Sequence, residues 1–257
     1  MRVLVCVKRV PAPGAKINIT ADGQDVDAAH LGFTVSPHEE CGVEEAVQLV
    51  EKHGGEATVL TLGPGDADEQ LRYAASLGVQ QAVLLQTDGT PWDPQATARA
   101  ITTAIGDLES ENGEPFDLVL FGNESADSGG FQVGVRVAHA LERPMVNAIK
   151  GIELDLDNAS VTAKREIDGG REIYEMATPA VLGVKEGINL PRYPTMRGRL
   201  ASKKVEVKVI EVDPETGDQT RVTLQQPPEQ VSNTVHLGDG PAAASAVVDV
   251  LDELGVL

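Results

Sequence analysis

Between Arg2 and Leu141 the chain alternates between short apolar runs and segments with apolar residues three or four positions apart. The runs have the length of strands, and the spacing in the intervening segments is that of amphipathic helices. Strands that alternate with helices form a parallel sheet, because each helix returns the chain to the same end of the sheet. The sequence therefore predicts an α/β fold, with helices on both faces of a parallel sheet. The strands are expected at Arg2–Val7, Ala57–Leu62, Ala82–Leu85 and Asp117–Phe121.

The first two helices have recognisable starting signals. Ser36 is a favourable N-cap, Pro37 suits the first helical position, and Glu39 completes a capping box with Ser36. Asp66 is the expected cap of the second helix. We therefore expect helices to begin directly after Ser36 and Asp66.

The pattern changes after about residue 150, where short strand-like runs follow one another without helices between them. This predicts an antiparallel extension over residues 150–212, within one nucleotide-binding α/β domain that covers 1–212. The runs are Ile152–Asp155, Val161–Glu166, Glu172–Met176 and Ala180–Val184, and Lys204–Val212 alternates in polarity and reads as one further strand.

The last part of the chain, 213–257, reads as a linker and a helical arm. Residues 213–240 are polar and contain Pro227 and Pro228, whereas the segment from Pro241 places Val247, Leu251 and other apolar residues at helical spacing. A short isolated amphipathic helix is not stable in water. We expect this arm to dock on a partner subunit.

The net charge of −19 excludes nucleic acids and anionic membranes as natural partners, because both repel an acidic surface. It favours a protein adapted to a high-salt cytoplasm, with an ordinary acidic cytosolic protein as the alternative. Cys6 and Cys41 show no metal spacing and indicate reduced thiols in the cytoplasm. No apolar run is long enough for membrane insertion, and neither a metal site nor a common catalytic motif is expected.

The segment Gly122–Gly134 leaves a predicted buried strand and enters a helix, and it is rich in glycine. Glycines allow a ligand to approach the backbone, and a helix N-terminus offers free N–H groups to a phosphate. The segment is equally consistent with an ordinary connection whose glycines serve the turn. This segment alone does not decide between a nucleotide-binding loop and an ordinary connection.

Several separated motifs make the chain closely similar to the electron transfer flavoprotein beta family. They occur in the family's order from residue 2 to about 210. They comprise Val7-Lys-Arg-Val-Pro11, Val43-Glu-Glu-Ala46, Gly63-Pro64, Arg165-Glu-Ile-Asp-Gly-Gly170 followed by Glu172, Pro179-Ala-Val181, Asn189-Leu-Pro-Arg-Tyr-Pro-Thr195 and Lys203-Lys204.

The resemblance implies an adenine-nucleotide-binding, Rossmann-like fold of the HUP type and a subunit without catalytic residues of its own. An alpha subunit would carry most of the redox FAD, and this subunit would bind a structural AMP. In members that split electron pairs, a second FAD replaces the AMP. The cofactor contacts carried over by position are Cys6, Ser36, Pro37, His38, Glu39, Leu62, Gly122, Asn123, Asp127, Gly129, Gly130, Phe131, Gln132, Val133 and Gly134.

The phosphate loop departs from the family at two positions. Many members have Cys-Asn-Gln-Thr-Gly, where this chain has Gly130-Phe-Gln-Val-Gly134, so Phe131 and Val133 replace two polar side chains. Backbone donors survive such a change, and we expect AMP, with FAD as the alternative.

The resemblance also implies docking of acyl-CoA or other dehydrogenases by a recognition loop in which a leucine anchors on the partner. Met196 stands at the position of that leucine, and Glu166 is expected near an arginine of the mobile flavin-bearing domain. The residues assigned to docking are Tyr193, Met196, Arg197, Arg199, Leu200 and Glu166.

Two other functions compete with an electron carrier. A stand-alone adenine-nucleotide-binding protein of the universal-stress type would share the sheet, but it would not need the motifs between Arg165 and Lys204. A nucleotide-hydrolysing enzyme would need a general base or a metal cluster, for which the candidate loop offers only Asp127.

Overall fold

The computed structural model describes residues 1–214, 217–228 and 233–257. The strands in these residues are β1 Arg2–Cys6, β2 Val10–Pro11, β3 Phe33–Thr34, β4 Glu56–Gly63, β5 Gln81–Gln86, β6 Leu118–Gly122, β7 Met145–Asp155, β8 Ser160–Ile167, β9 Gly170–Ala177, β10 Ala180–Val184 and β11 Val207–Glu211. The α-helices are α1 Pro37–His53, α2 Asp68–Leu77, α3 Pro94–Asn112, α4 Val133–Ala140, α5 Met196–Ser202 and α6 Ala244–Glu253.

One mainly parallel sheet organises the described part of the chain. Its strand order is β11-β5-β4-β1-β6-β10-β7-β8-β9, and every neighbouring pair from β11 to β7 is parallel. The second half of β7 pairs with β8, and β8 with β9, in antiparallel register. The predicted α/β fold is confirmed, with an antiparallel extension continuous with the main sheet.

The central strand β1 is buried on both faces, as its unbroken apolar run predicts. Val3 and Val5 face one apolar cluster, which includes α1 and α2, whereas Leu4 and Cys6 face a second cluster, which includes α3 and α4. Successive strand residues point to opposite faces, so these four side chains join both halves of the core.

The expected place of Ala180–Val184 is wrong. This run forms β10, which lies between β6 and β7 and is parallel to both, instead of joining the antiparallel extension. All five of its residues are buried, and a strand apolar at every position needs cover on both faces, which an edge hairpin does not supply. The cap at Asp66 is also wrong: Asp66 lies in a 3₁₀ turn at Gly65–Ala67, and the N-cap of α2 is Ala67.

The tail runs back across the body of the protein before its helix. The N–H of Leu224 donates to the carbonyl of Gly23 at 2.8 Å, and Nε2 of Gln226 donates to the carbonyl of Ile17 at 3.0 Å. The predicted linker over 213–240 falls partly on 215–216 and 229–232, which lie outside the described residues. The predicted last helix is present as α6, and none of its residues is buried. No helix in the described ranges is long and apolar enough to cross a membrane.

Candidate functional site

The chain leaves the adjacent strands β1 and β6 toward opposite faces of the sheet. The connection after β1 leads to α1 in the first apolar cluster, whereas the connection after β6 leads to α4 in the second. Connections that diverge in this way open a crevice at the carboxyl ends of the strands, where doubly wound folds bind ligands.

A cleft of about 490 Å³ occupies this position. One wall is the start of α1, and the other is the loop that follows β6. Its lining residues are Ser36, Pro37, His38, Glu124, Ser125, Ala126, Asp127, Ser128 and Gly129.

Gly122 brings the two walls together. A Cβ at this position would lie 2.6 Å from Cγ of Glu39 and 3.4 Å from Cβ of His38, so a larger residue would separate β6 from α1. Above this contact, the N–H of Ala126 donates to Oγ of the fully buried Ser36 at 3.0 Å. The Ser36 hydroxyl thus anchors the loop to the start of α1.

The buried carboxyl group of Glu39 supports the base of the cleft. Oε2 of Glu39 accepts the N–H of Lys8 at 3.0 Å and the N–H of Ser36 at 3.2 Å. Burial raises the pKa of this carboxyl to about 8, although both hydrogen bonds act in the opposite direction. Burial, followed by the nearby Glu39 carboxylate, also raises the pKa of the Cys6 thiol at the end of β1.

Lys8 links the base of the cleft to its loop wall. Its Nζ lies 2.6 Å from Oδ2 of Asp127 and donates to Oγ of Ser128 at 3.4 Å. Burial raises the pKa of Asp127, but the Lys8 ammonium outweighs it and the net pKa lies below the ordinary value. The cleft therefore carries one cation among carboxylates, and that cation is half-exposed.

His38 connects the cleft to the loop after β10. Its Nδ1 accepts the N–H of Glu186 at 2.7 Å, so the donating nitrogen of the neutral ring is Nε2, which lies 3.4 Å from Oε1 of Glu124. The loops after β6 and β10 thus both lie against the start of α1. They are also joined to each other, because the N–H of Asn123 donates to the carbonyl of Val184 at 2.8 Å.

The loop reaches α4 through an unusual backbone conformation. Gly129 and Phe131 both have a φ of 53°, which is rare for a residue with a side chain, and Phe131 is 54% exposed. Asparagine, which the family resemblance would place at this position, adopts this conformation more readily than phenylalanine does. The first N–H groups of α4, from Val133 and Gly134 onward, have no carbonyl partner within the helix.

The structure brings together only part of the residue set expected from the sequence. Ser36, Pro37, His38, Asp127 and Gly129 line the cleft. Those that lie behind it, at strand ends or beyond its rim are Cys6, Glu39, Leu62, Gly122, Asn123, Gly130, Phe131, Gln132, Val133 and Gly134.

Four polar residues at the cleft escaped the sequence reasoning. Glu124, Ser125 and Ser128 lie within the predicted segment Gly122–Gly134, but its polar residues show no periodicity that would single out these three. Lys8 could have been found, because it belongs to the Val7–Pro11 motif directly after β1. Within the described residues, no group of three or more His, Cys, Asp and Glu side chains is arranged to bind a metal.

A second exposed feature is the segment Tyr193–Leu200, which contains the start of α5. Tyr193 is 92% exposed, Met196 79% and Leu200 62%. The segment has a firm anchor, because Arg192 forms a bidentate pair with the buried carboxylate of Glu44, at 2.9 Å from Nε and 3.0 Å from Nη2. A side chain on α1 thereby fixes the start of the segment.

Glu166 lies near the tip of the β8–β9 hairpin and is solvent-exposed. Its Oε2 is 3.0 Å from Nζ of Lys150, and this hydrogen bond is the main reason that its pKa lies below the ordinary value. A partner that binds Glu166 through an arginine would therefore compete with Lys150 for this carboxylate.

Comparison with known proteins gives one consistent result. Residues 26–215 match the family described as the electron transfer flavoprotein domain. The chain is 38% identical over 208 residues to electron transfer flavoprotein subunit beta of Syntrophomonas wolfei, covering 80% of this chain and 78% of the relative. It is 29% identical over 260 residues to the Bacillus subtilis protein of that name, covering 98% and 97%. Over 210 residues it is 31% identical to protein FixA of Sinorhizobium fredii, covering 80% and 73%. The chain therefore belongs to the electron transfer flavoprotein family, among the proteins named as its beta subunits.

Proposed function

We propose that this chain is the beta subunit of a heterodimeric electron transfer flavoprotein that carries electrons from dehydrogenases to a downstream acceptor. Its alpha partner holds the redox FAD, and this subunit contributes a structural AMP and a docking segment for acyl-CoA or other dehydrogenases. The two buried free cysteines suit a reducing compartment, and the proposal places the heterodimer in the cytoplasm.

The cleft between β1 and β6 is the observation that carries the nucleotide part of the proposal. Its loop passes through two left-handed residues into the N-terminus of α4, and backbone N–H groups at such a turn bind phosphate. A side chain at Gly130 would meet nothing within 4 Å, so the loop is open at that point. An anionic ligand there would share the Lys8 ammonium with Asp127.

The backbone donors make the loss of two polar side chains tolerable. A net hydrogen bond from a side chain contributes about 0.5–1.5 kcal/mol, and Phe131 and Val133 forgo two of these. The N–H groups at Gly129–Gly134 remain, so AMP stays the favoured ligand. FAD is the alternative, because the family resemblance implies that Gln132-Val133-Gly134 is closer to the members that hold FAD at this site.

The nucleotides released from the purified heterodimer decide between these ligands. We expect one FAD and one AMP for each heterodimer after denaturation and chromatographic separation. Two FAD and no AMP would instead establish the electron-splitting type. A heterodimer that releases FAD but no second nucleotide would contradict the nucleotide part of the proposal.

The exposed last helix favours this carrier over a stand-alone nucleotide-binding protein. Val248 on α6 is 51% exposed, its C-cap residue Leu254 is 69% exposed, and α6 has no buried residue, which is unfavourable for a monomer in water. Such a surface indicates a partner subunit.

The pair between Glu166 and Lys150 leads to a prediction about domain motion. Removing the carboxylate by Glu166→Ala should change the rate of electron transfer while leaving the FAD content intact, because an exposed charge pair biases an equilibrium between domain positions without fixing it. Stopped-flow reduction by a dehydrogenase measures the rate. Lys150→Ala is the matched control, since it frees Glu166 and should shift the rate in the opposite direction. Equal rates in all three proteins would show that Glu166 has no such role.

A further inference from the structure

A groove of about 430 Å³ lies between α2 and the docking segment. Tyr73 and Ser76 contribute from α2, and Tyr193 and Pro194 contribute from the segment. The exposed side chains of Arg199 and Glu69 also line the groove. The groove thus adjoins Met196 and Leu200, the exposed apolar side chains of the same segment.

The groove is preformed, because α5 is pressed against α2. A Cβ at Gly198 would lie 2.2 Å from the carbonyl oxygen of Ser76, so only glycine permits this approach. Oγ1 of Thr195 caps the start of α5 by accepting the N–H of Gly198 at 3.0 Å. At the other end, Nη1 of Arg72 donates to the carbonyl of Ser202 at 3.1 Å.

A basic cluster lies on α5 and directly after it, in a chain of net charge −19, although the acidic Glu69 also lines the groove. Arg197, Arg199, Lys203 and Lys204 are all exposed. Within the described ranges, none of the ion pairs involves these four side chains. Charges left unpaired beside an apolar surface suit a partner of opposite charge.

We propose that this groove receives an apolar side chain of the dehydrogenase, flanked there by carboxylates that face the basic cluster. The inference rests on the proposed docking function and adds a second point of contact to it. Met196 would project toward the partner, and the groove would accept a side chain from the partner. Interfaces concentrate binding energy where an anchor fills a preformed pocket away from water.

Filling the groove tests this proposal. Glu69→Trp places a large side chain at a surface position of the groove, and Thr103→Trp is the matched control at an exposed position of α3, on the opposite face of the sheet. The assay is reduction of the intact heterodimer by an acyl-CoA dehydrogenase, chosen because it reduces the unmodified heterodimer. Reduction by dithionite serves as the reference for an intact flavin.

Glu69→Trp is expected to raise the KM for the heterodimer at least about tenfold, with unchanged dithionite reduction and no change in Thr103→Trp. Met196→Ala distinguishes failure of the groove proposal from failure of the docking function. If Met196→Ala impairs transfer and Glu69→Trp does not, docking by the segment stands and the groove proposal is wrong. If neither variant impairs transfer, the docking function itself is wrong. If Glu69→Trp slows reduction by dithionite as much as reduction by the dehydrogenase, the substitution has damaged the protein generally, and the groove proposal is overturned.

Discussion

Deletion of Glu229–Leu257 is expected to weaken the heterodimer by at least about hundredfold in Kd, which corresponds to about 2.7 kcal/mol. The deletion begins at 229–232, outside the described residues, and removes α6. Leu254 is 69% exposed and Leu257 72%. Burying one such side chain contributes about 1.5–3 kcal/mol, of which ordering costs consume a part.

Dilution of the heterodimer in the analytical ultracentrifuge measures this Kd. Leu254→Asp should reproduce most of the effect of the deletion, because it places a charge in the apolar contact. Glu253→Lys, at the neighbouring exposed position, is the matched control for a change of charge. Dissociation that is unchanged by the deletion would show that the arm does not bind the alpha subunit.

Replacing Glu39 with glutamine is expected to remove a large part of the pH dependence of folding. The buried carboxyl has a pKa of about 8 in the folded chain, above its ordinary value near 4.3 when unfolded. Its contribution to stability is fully present below the unfolded pKa and is lost as the pH rises through the folded pKa. A difference of one in pKa corresponds to about 1.4 kcal/mol, so the loss amounts to a few kcal/mol between about pH 5 and 8.

Urea unfolding at several pH values tests this expectation. In Glu39→Gln the amide oxygen can still accept the N–H groups of Lys8 and Ser36, and the free energy of unfolding should change less between pH 5 and 8. Glu175→Gln removes the same charge from an exposed position and controls for the reduced repulsion in an acidic chain. If both variants show the pH dependence of the unmodified protein, Glu39 is not the buried group responsible.

Much of the fold could be predicted because its first half is built from local signals. A few consecutive residues are enough to recognise each of the apolar strands β1, β4, β5 and β6, and the same holds for the capped start of α1. The position of β10 could not be predicted in this way. Its residues identify a buried strand. Its pairing with β6 and β7 depends on contacts between residues far apart in the sequence, and no periodicity in the sequence indicates them.

The candidate site likewise has a part that could be predicted from the sequence and a part that could not. The glycines of the loop and Ser36 could be located from the strand-to-helix order, because that order fixes which loops meet at the end of a parallel sheet. The ion pair between Lys8 and Asp127 joins residues far apart in sequence, and its partners follow from packing alone. The burial of Glu39 behind Gly122 was hidden for the same reason, since a capping glutamate is ordinarily expected at the surface.

The position of β10 between β6 and β7 has a consequence for synthesis on the ribosome. β6 is made first, and the edge of it that pairs with β10 has no such partner until the three antiparallel strands β7–β9 have been translated and β10 has followed them. An apolar strand with unpaired N–H and C=O groups readily pairs with other chains. The nascent chain therefore passes through a stage that is prone to aggregation. This stage ends when β10 inserts between β6 and β7 and completes the middle of the sheet.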